Sequence, residues 1–279
     1  MGEPFIGSEA VAAGTVSHSQ LRRHFTRVFR DVYVGEGIEL TPALRARAAW
    51  LWSRRRGVIA GFSAAAVRGS KWVDTARPID LIHDNRHSLP GLQIWGDRID
   101  GDEYELLDGV PVTTAARTAV DLACWFPTTT AVAGIDALAR ATDLKMADVD
   151  LLTARYRGRR GLQRARLSLD LVDPGAQSPK ETWLRLVLMQ GHLPRPQTQI
   201  PVRDEFGNAF AYLDMGWEDV KVAVEYDGDH HRNDRSQFGW DVRRLERLQQ
   251  RGWIVIRVLS GDRPADIVRR VRAARARRV

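Results

Sequence analysis

Apolar positions recur along this chain with two spacings, and the changes between them mark the elements. From Thr41 to Arg56 the apolar residues Leu44, Ala48, Leu51 and Trp52 share one helical face, and Thr41-Pro42 supplies an N-cap followed by proline at the first helical position. Runs rich in β-formers follow at Ile79–His83, Leu92–Trp95 and Tyr104–Val112. Helical spacing returns at Ala115–Phe126, Thr130–Ala141, Ala147–Tyr156 and Leu162–Val172. Ahead of all these, Ser8–Ala13 reads as a short helix ended by Gly14. Ser17-His-Ser-Gln20 reads as a capping box opening a second helix, in which hydroxyl and amide satisfy each other's orphan backbone donors. That helix carries Arg22 and Arg23, and the β-rich stretch Arg27–Val34 after it suits a wing.

The last third changes character. Val172-Asp-Pro-Gly-Ala-Gln-Ser-Pro179 is a run of turn formers and reads as the main linker. Ser178 and Glu181 form a further capping box with proline between them, before an apolar helix through Trp183, Leu184, Val187 and Leu188. Three strand-like segments follow, at Gln199–Val202, Phe210–Met215 and Lys221–Asp227. The expected organisation is three segments: 1–40, a small helix-turn-helix with a wing; 41–172, a mixed α/β region; and 173–279, a mixed sheet flanked by helices. The fold class is α/β in the α+β sense.

Composition narrows the options. The chain has 279 residues, 44% of them hydrophobic and 28% charged, as soluble globular domains do. Its most apolar window, Val58–Val67, is about half of the ~20 residues a membrane span needs, and no secretory leader is recognisable. The single cysteine, Cys124, sits among Val120, Leu122, Ala123 and Trp125 and reads as a buried apolar residue. A cytoplasmic protein is expected, with no membrane partner. Net charge is +7, yet Trp240–Val279 alone carries twelve arginines against four acids, so the excess is concentrated at one end. Such a block suits a phosphate-bearing partner, or a solvated helix end. His83, Asp84 and His87 lie close in sequence and read as turn residues rather than a metal site.

Chemistry concentrates in the last third. In Lys221-Val-Ala-Val-Glu-Tyr-Asp227 the residues Val222, Val224 and Tyr226 share a core-facing side, while Glu225 and Asp227 share the other. A hairpin brings Asp214 beside Glu225, since opposite residues lie about 5 Å apart. Carboxylates converging on one sheet face repel unless a cation lies between them, and a few hard oxygen donors suit Mg²⁺ or Mn²⁺.

Two resemblances attach to these residues. The Asp214…Glu225 spacing resembles the restriction-endonuclease-like PD-(D/E)XK superfamily. Glu225-Tyr-Asp227-Gly228-Asp-His-His231, Asp241-Val-Arg-Arg244 and Gly252-Trp-Ile-Val-Ile-Arg257 are similar, in order, to the very-short-patch-repair (Vsr)-like endonuclease group. Asp227 stands where the superfamily keeps lysine. The resemblance implies Asp214, Glu225 and Asp227 as ligands of Mg²⁺ or Mn²⁺, Glu181 as a helper and His231 as a general acid or base. It also implies Arg244 and Arg257 on the DNA backbone. The amino-terminal run from Gly14 through Gln20-Leu21-Arg22 to Val32-Tyr33-Val34 resembles the winged helix-turn-helix opening AbiEi-type antitoxins of type IV toxin–antitoxin systems. Val110-Pro-Val-Thr-Thr-Ala-Ala-Arg-Thr-Ala-Val-Asp-Leu122 resembles the body behind it. That likeness implies DNA contacts from Arg22, Arg23 and Arg27.

The expectation is a metal-dependent DNA endonuclease or nickase with an amino-terminal DNA-binding module, free to act as a homodimer. The alternative is a non-enzymatic DNA-binding regulator of the antitoxin kind, whose nuclease-like domain only binds.

Overall fold

The computed structural model describes residues 2–85, 89–228 and 235–278, with the side chains of 235–238 left aside. His87, His230 and His231 therefore lie outside the described residues. Contacts divide the chain into two units, Met1–Asp170 and Leu171–Val279. The architecture is mixed α+β, with three sheets and no closed barrel among the described residues. No helix of the described residues is long and apolar enough to cross a membrane.

The first unit opens with β1 (Phe5–Ile6), α1 (Gly7–Ala12), α2 (His18–His24), β2 (Phe25–Phe29) and β3 (Val32–Gly35). The three strands form an antiparallel sheet in the order β1-β3-β2. The Ser17 capping box forms: the hydroxyl accepts from Gln20 N, and the Gln20 amide oxygen accepts from Ser17 N at 2.8 Å. The stretch expected to supply a wing is a hairpin that turns at Asp31, whose φ is +61°. Leu21, Phe29, Val32 and Val34 are buried beneath these elements.

Behind them come α3 (Pro42–Trp52), β4 (Val58–Ile59), α4 (Gly61–Val67), β5 (Ile79–Ile82), β6 (Leu92–Trp95), β7 (Tyr104–Leu107) and β8 (Val110–Thr113). The strands make a five-stranded mixed sheet in the order β6-β5-β4-β8-β7. The run expected as one strand over Tyr104–Val112 is a hairpin. Asp108 and Gly109 take φ of +49° and +76°, the left-handed pair that a two-residue turn requires and that Asp-Gly supplies at least cost. Four helices complete the unit: α5 (Ala115–Trp125), α6 (Thr128–Ala141), α7 (Met146–Arg155) and α8 (Leu162–Asp170).

The second unit runs α9 (Pro179–Gln190), β9 (Gln197–Arg203), β10 (Ala209–Trp217), β11 (Val222–Tyr226), α10 (Arg235–Gln250), β12 (Ile254–Val258) and α11 (Pro264–Ala276). β9, β10 and β11 form an antiparallel meander, and β12 returns parallel to β11 through α10. Leu184 and Leu188 of α9 and Ile267 and Val271 of α11 pack with Met215, Val222 and Val224. Leu248 of α10 packs with Leu213 and Ala223 in a second cluster. Val222 and Val224 thus point to one layer and Ala223 to the other, as period-2 alternation requires.

Candidate functional site

The β10–β11 hairpin sets the geometry of the carboxylates. Its last paired residues are Met215↔Val224, Gly216↔Ala223 and Trp217↔Val222, so Asp214 and Glu225 stand opposite each other one step further on. Gly216 permits the close approach: a Cβ there would fall 2.4 Å from the Val222 carbonyl oxygen. Backbone pairing stops at Asp214, and its carboxylate takes over by accepting from Tyr226 N at 2.9 Å. On the other flank, Leu213↔Ile200 and Met215↔Thr198 bracket Gln199, which adopts φ +51° within β9. A left-handed glutamine inside a strand is strained, and such strain gathers at functional positions.

Each carboxylate has a partner of its own. Glu181, 8% exposed at the start of α9, accepts from Gln177 N at 2.8 Å and from the Ser178 hydroxyl at 3.0 Å. The Ser178 hydroxyl in turn accepts from Glu181 N at 3.2 Å, so Glu181 serves its helix cap. The Gln199 amide reaches Glu181 at 3.4 Å. Glu225, also 8% exposed, is gripped at both oxygens by Arg244 of α10: Nη1 donates to Oε2 at 3.1 Å and Nη2 donates to Oε1. Arg244 Nη2 also donates to the Tyr212 carbonyl at 3.0 Å. Asp227 and Arg257 lie 3.8 Å apart, both about one-third exposed.

Asp214 is the electrostatic focus. Burial pushes its carboxyl up to about 7, and the negative charges of Glu181 and Glu225 push the same way against Tyr226 N–H and Arg244. Three acids therefore feel one another, and Arg244, whose own proton is held tighter by its bond to Glu225, is the cation set among them. Among the described residues no three His, Cys, Asp or Glu side chains are gathered closely enough to hold a metal ion. Hard carboxylate oxygens are of the kind Mg²⁺ or Mn²⁺ takes, and Asp214 is pressed toward protonation first by burial and then by its acidic neighbours.

Arg22 and Arg23 on α2 and Arg27 on β2 are exposed, and Ser17 fixes the helix that carries the first two. Two groups of arginines went unremarked in the sequence. Arg54, Arg55 and Arg56, directly after α3, are spent inside the unit on Asp31 at 3.1 Å, Glu9 at 2.7 Å and Asp84 at 2.8 Å. The first two tie α1 and the β2–β3 turn to the end of α3, and the third reaches the segment after β5. Arg117 is fully buried on α5, bonded to Glu103 and, at 2.8 Å, to Asp121. Arg159 joins Asp121 at 2.6 Å and Asp97 at 3.1 Å, and the Tyr156 hydroxyl lies 2.6 Å from Glu103. The i, i+4 spacing of Arg117 and Asp121 within an apolar helix was the available signal.

The family described as "AbiEi antitoxin C-terminal domain" matches residues 86–171. The match therefore contains α5 to α8 and most of the Arg117 network. Two curated proteins of Mycobacterium tuberculosis strains, "Uncharacterized protein MT2308" and "Uncharacterized protein Rv2248", are each 26% identical over 236 residues, covering 85% of this chain and 86% of their own. A solved structure, "Crystal structure of RV2827C protein from Mycobacterium tuberculosis", aligns with a TM-score of 0.41 at 16% identity, over 72% of this chain and 84% of that one.

Proposed function

We propose that this chain is a DNA-binding regulator of the toxin–antitoxin kind. The observation that carries the reading is the AbiEi antitoxin domain matched over residues 86–171. Local geometry ahead of that domain supports it. A short strand, a helix pair and a hairpin that completes a three-stranded antiparallel sheet suit a winged helix-turn-helix, and α2 presents Arg22 and Arg23 to solvent with Arg27 on the adjoining strand. The test is a mobility-shift titration with DNA from upstream of the protein's own gene. Exchanging Arg22 and Arg23 for glutamine should weaken binding by about tenfold or more, since each lost base contact is worth roughly 1–3 kcal/mol. Equal affinity in that double variant, or no binding by the wild type at low salt, sinks the reading.

A second reading is favoured by the acids of the carboxy-terminal unit. A helix, three antiparallel strands, a helix and a parallel fourth strand, with Asp214 opposite Glu225, resembles the nuclease core named above. In this reading Asp214, Glu225 and Asp227 would hold Mg²⁺ or Mn²⁺ with Glu181 as a helper, and a bound ion would supply water activation and charge neutralisation at a phosphodiester. The protein's own part would be to set Asp214 opposite Glu225 at the end of the β10–β11 ladder and keep Asp214 out of bulk water. Nicking of supercoiled DNA with Mg²⁺ or Mn²⁺, lost in Asp214→Ala, is its test. Cleavage that persists in Asp214→Ala assigns the activity elsewhere.

A further inference from the structure

We infer that the solvent-facing side of α10 is a platform for an unpaired nucleic-acid strand, on which Trp240 stacks a base while Arg243 and Arg247 hold phosphates. The inference goes beyond the regulator reading, which places duplex DNA on α2, and it needs no metal ion. At about 3.6 residues per turn, Trp240, Arg243, Arg244, Arg247 and Arg251 fall within an arc of roughly 100° that holds no acid. Arg244 turns to Glu225, but Arg243, Arg247 and Arg251 are exposed and, among the described residues, none of the three pairs with a carboxylate. Two of them meet aromatic rings instead: the Arg243 guanidinium lies 5.5 Å from the Trp240 ring, and that of Arg247 lies 3.9 Å from the Phe210 ring. Trp240 is 71% exposed, and Tyr212, whose carbonyl accepts from Arg244, is 59% exposed. Indoles are ordinarily well buried, and an open one set among guanidiniums offers a base a flat face and its phosphates cations. Bases in a duplex cover one another's faces, so an open indole fits a single strand. An acidic peptide would use the arginines and leave Trp240 idle.

The anisotropy of a dye-labelled oligothymidylate, titrated with the full chain at low salt, tests the platform directly. Trp240→Ala should weaken binding by about fivefold or more, the worth of one stacked base, and Trp240→Phe, which keeps a ring, should recover most of the loss. Arg243→Gln together with Arg247→Gln should lower the log–log salt slope by about 1.4, at roughly 0.7 for each phosphate contact on a single strand. Trp240, Arg243 and Arg247 are exposed, and the core contact of α10 through Leu248 is untouched in all these variants. Unchanged affinity in Trp240→Ala, an unchanged salt slope in the double variant, or no binding by the wild type overturns the inference. So does polyglutamate of matched charge that displaces the strand as well as unlabelled oligothymidylate does, since the face would then serve an acidic protein. Arg22→Gln with Arg23→Gln separates the platform from the regulator reading, and should lose duplex binding while keeping the oligothymidylate. Loss of both puts the single strand on α2 and overturns the platform; retention of both overturns the regulator reading alone.

Discussion

Around Arg117 in the amino-terminal unit, two arginines and two carboxylates are withdrawn from water together. Around Asp214 in the carboxy-terminal unit, three carboxylates influence one another near a single arginine, which bonds only Glu225 among them. In the first cluster every charge meets its opposite on α5, the Glu103 turn or the segment after α7. Glu103, Arg117 and Asp121 are each fully buried. Burial pushes the carboxyls of both Asp121 and Asp214 up; against it Asp121 has the charges of Arg117 and Arg159, whereas Asp214 has Arg244 with Glu181 and Glu225 pushing the other way.

The largest expected effect breaks the balanced side. Arg117→Met leaves Glu103 and Asp121 buried without their shared cation and should destabilise the amino-terminal unit by about 3–5 kcal/mol, read as a shift in its urea transition. Adding Glu103→Gln and Asp121→Leu should restore much of the loss, because no uncompensated charge then remains. A cost under about 1 kcal/mol for Arg117→Met alone would mean that Arg159 and Arg155, which also pair with Asp121 and Glu103, neutralise those acids without it.

Next comes the opposite sign on the unbalanced side. An aspartate titrates near 4 in the unfolded chain and Asp214 near 7 in the folded one, so between these values the folded state keeps a proton the unfolded state has lost. Stability therefore falls as pH rises through that window. Asp214→Asn should be more stable than the wild type above pH 7, by on the order of 2–3 kcal/mol after allowing for residual solvent contact, and equal to it below pH 4. Thermal melts across pH decide this; a difference that does not vary with pH removes Asp214 from the centre of the repulsion.

Two smaller effects sharpen the contrast. Ser178→Ala removes the hydroxyl that caps α9 and holds Glu181, and should cost about 1 kcal/mol by denaturant titration. Arg257→Gln opens only the 3.8 Å, partly solvated pair with Asp227 and should cost less than about 0.5 kcal/mol. A loss several times larger would place that pair with the Arg117 network rather than with surface charges.

The legible parts of this molecule were those governed by local rules. Alternation in Val222–Tyr226 gave the facing of Glu225, and a short polar turn brought Asp214 across from it. Capping residues at Ser17, Thr41 and Ser178 marked three helix starts that form as expected. β4 and α4 were hidden inside Val58–Val67, because a short run apolar on all sides has no period to read. Gln199 gave no sign of its left-handed backbone, since glutamine is an ordinary strand residue in composition. Arg244 read as a phosphate contact for a physical reason: its partner Glu225 lies nineteen residues away on another element, and a lone sequence does not print such pairs. Arg54 to Arg56 would mislead in the same direction, being three adjacent cations consumed by acids of their own unit.

The parallel pairing of β11 with β12 also has a kinetic side. β10 and β11 can close as a hairpin on the microsecond scale, whereas β12 must wait for α10 to cross over before it finds β11. The acids meet early and their arginine, carried on that crossover, comes late. The nascent hairpin thus passes through an interval in which Asp214 and Glu225 face each other unneutralised. At pH 8 Asp214→Asn should therefore refold faster than the wild type, because its hairpin closes with one acid fewer; equal refolding rates would remove the acids from that step.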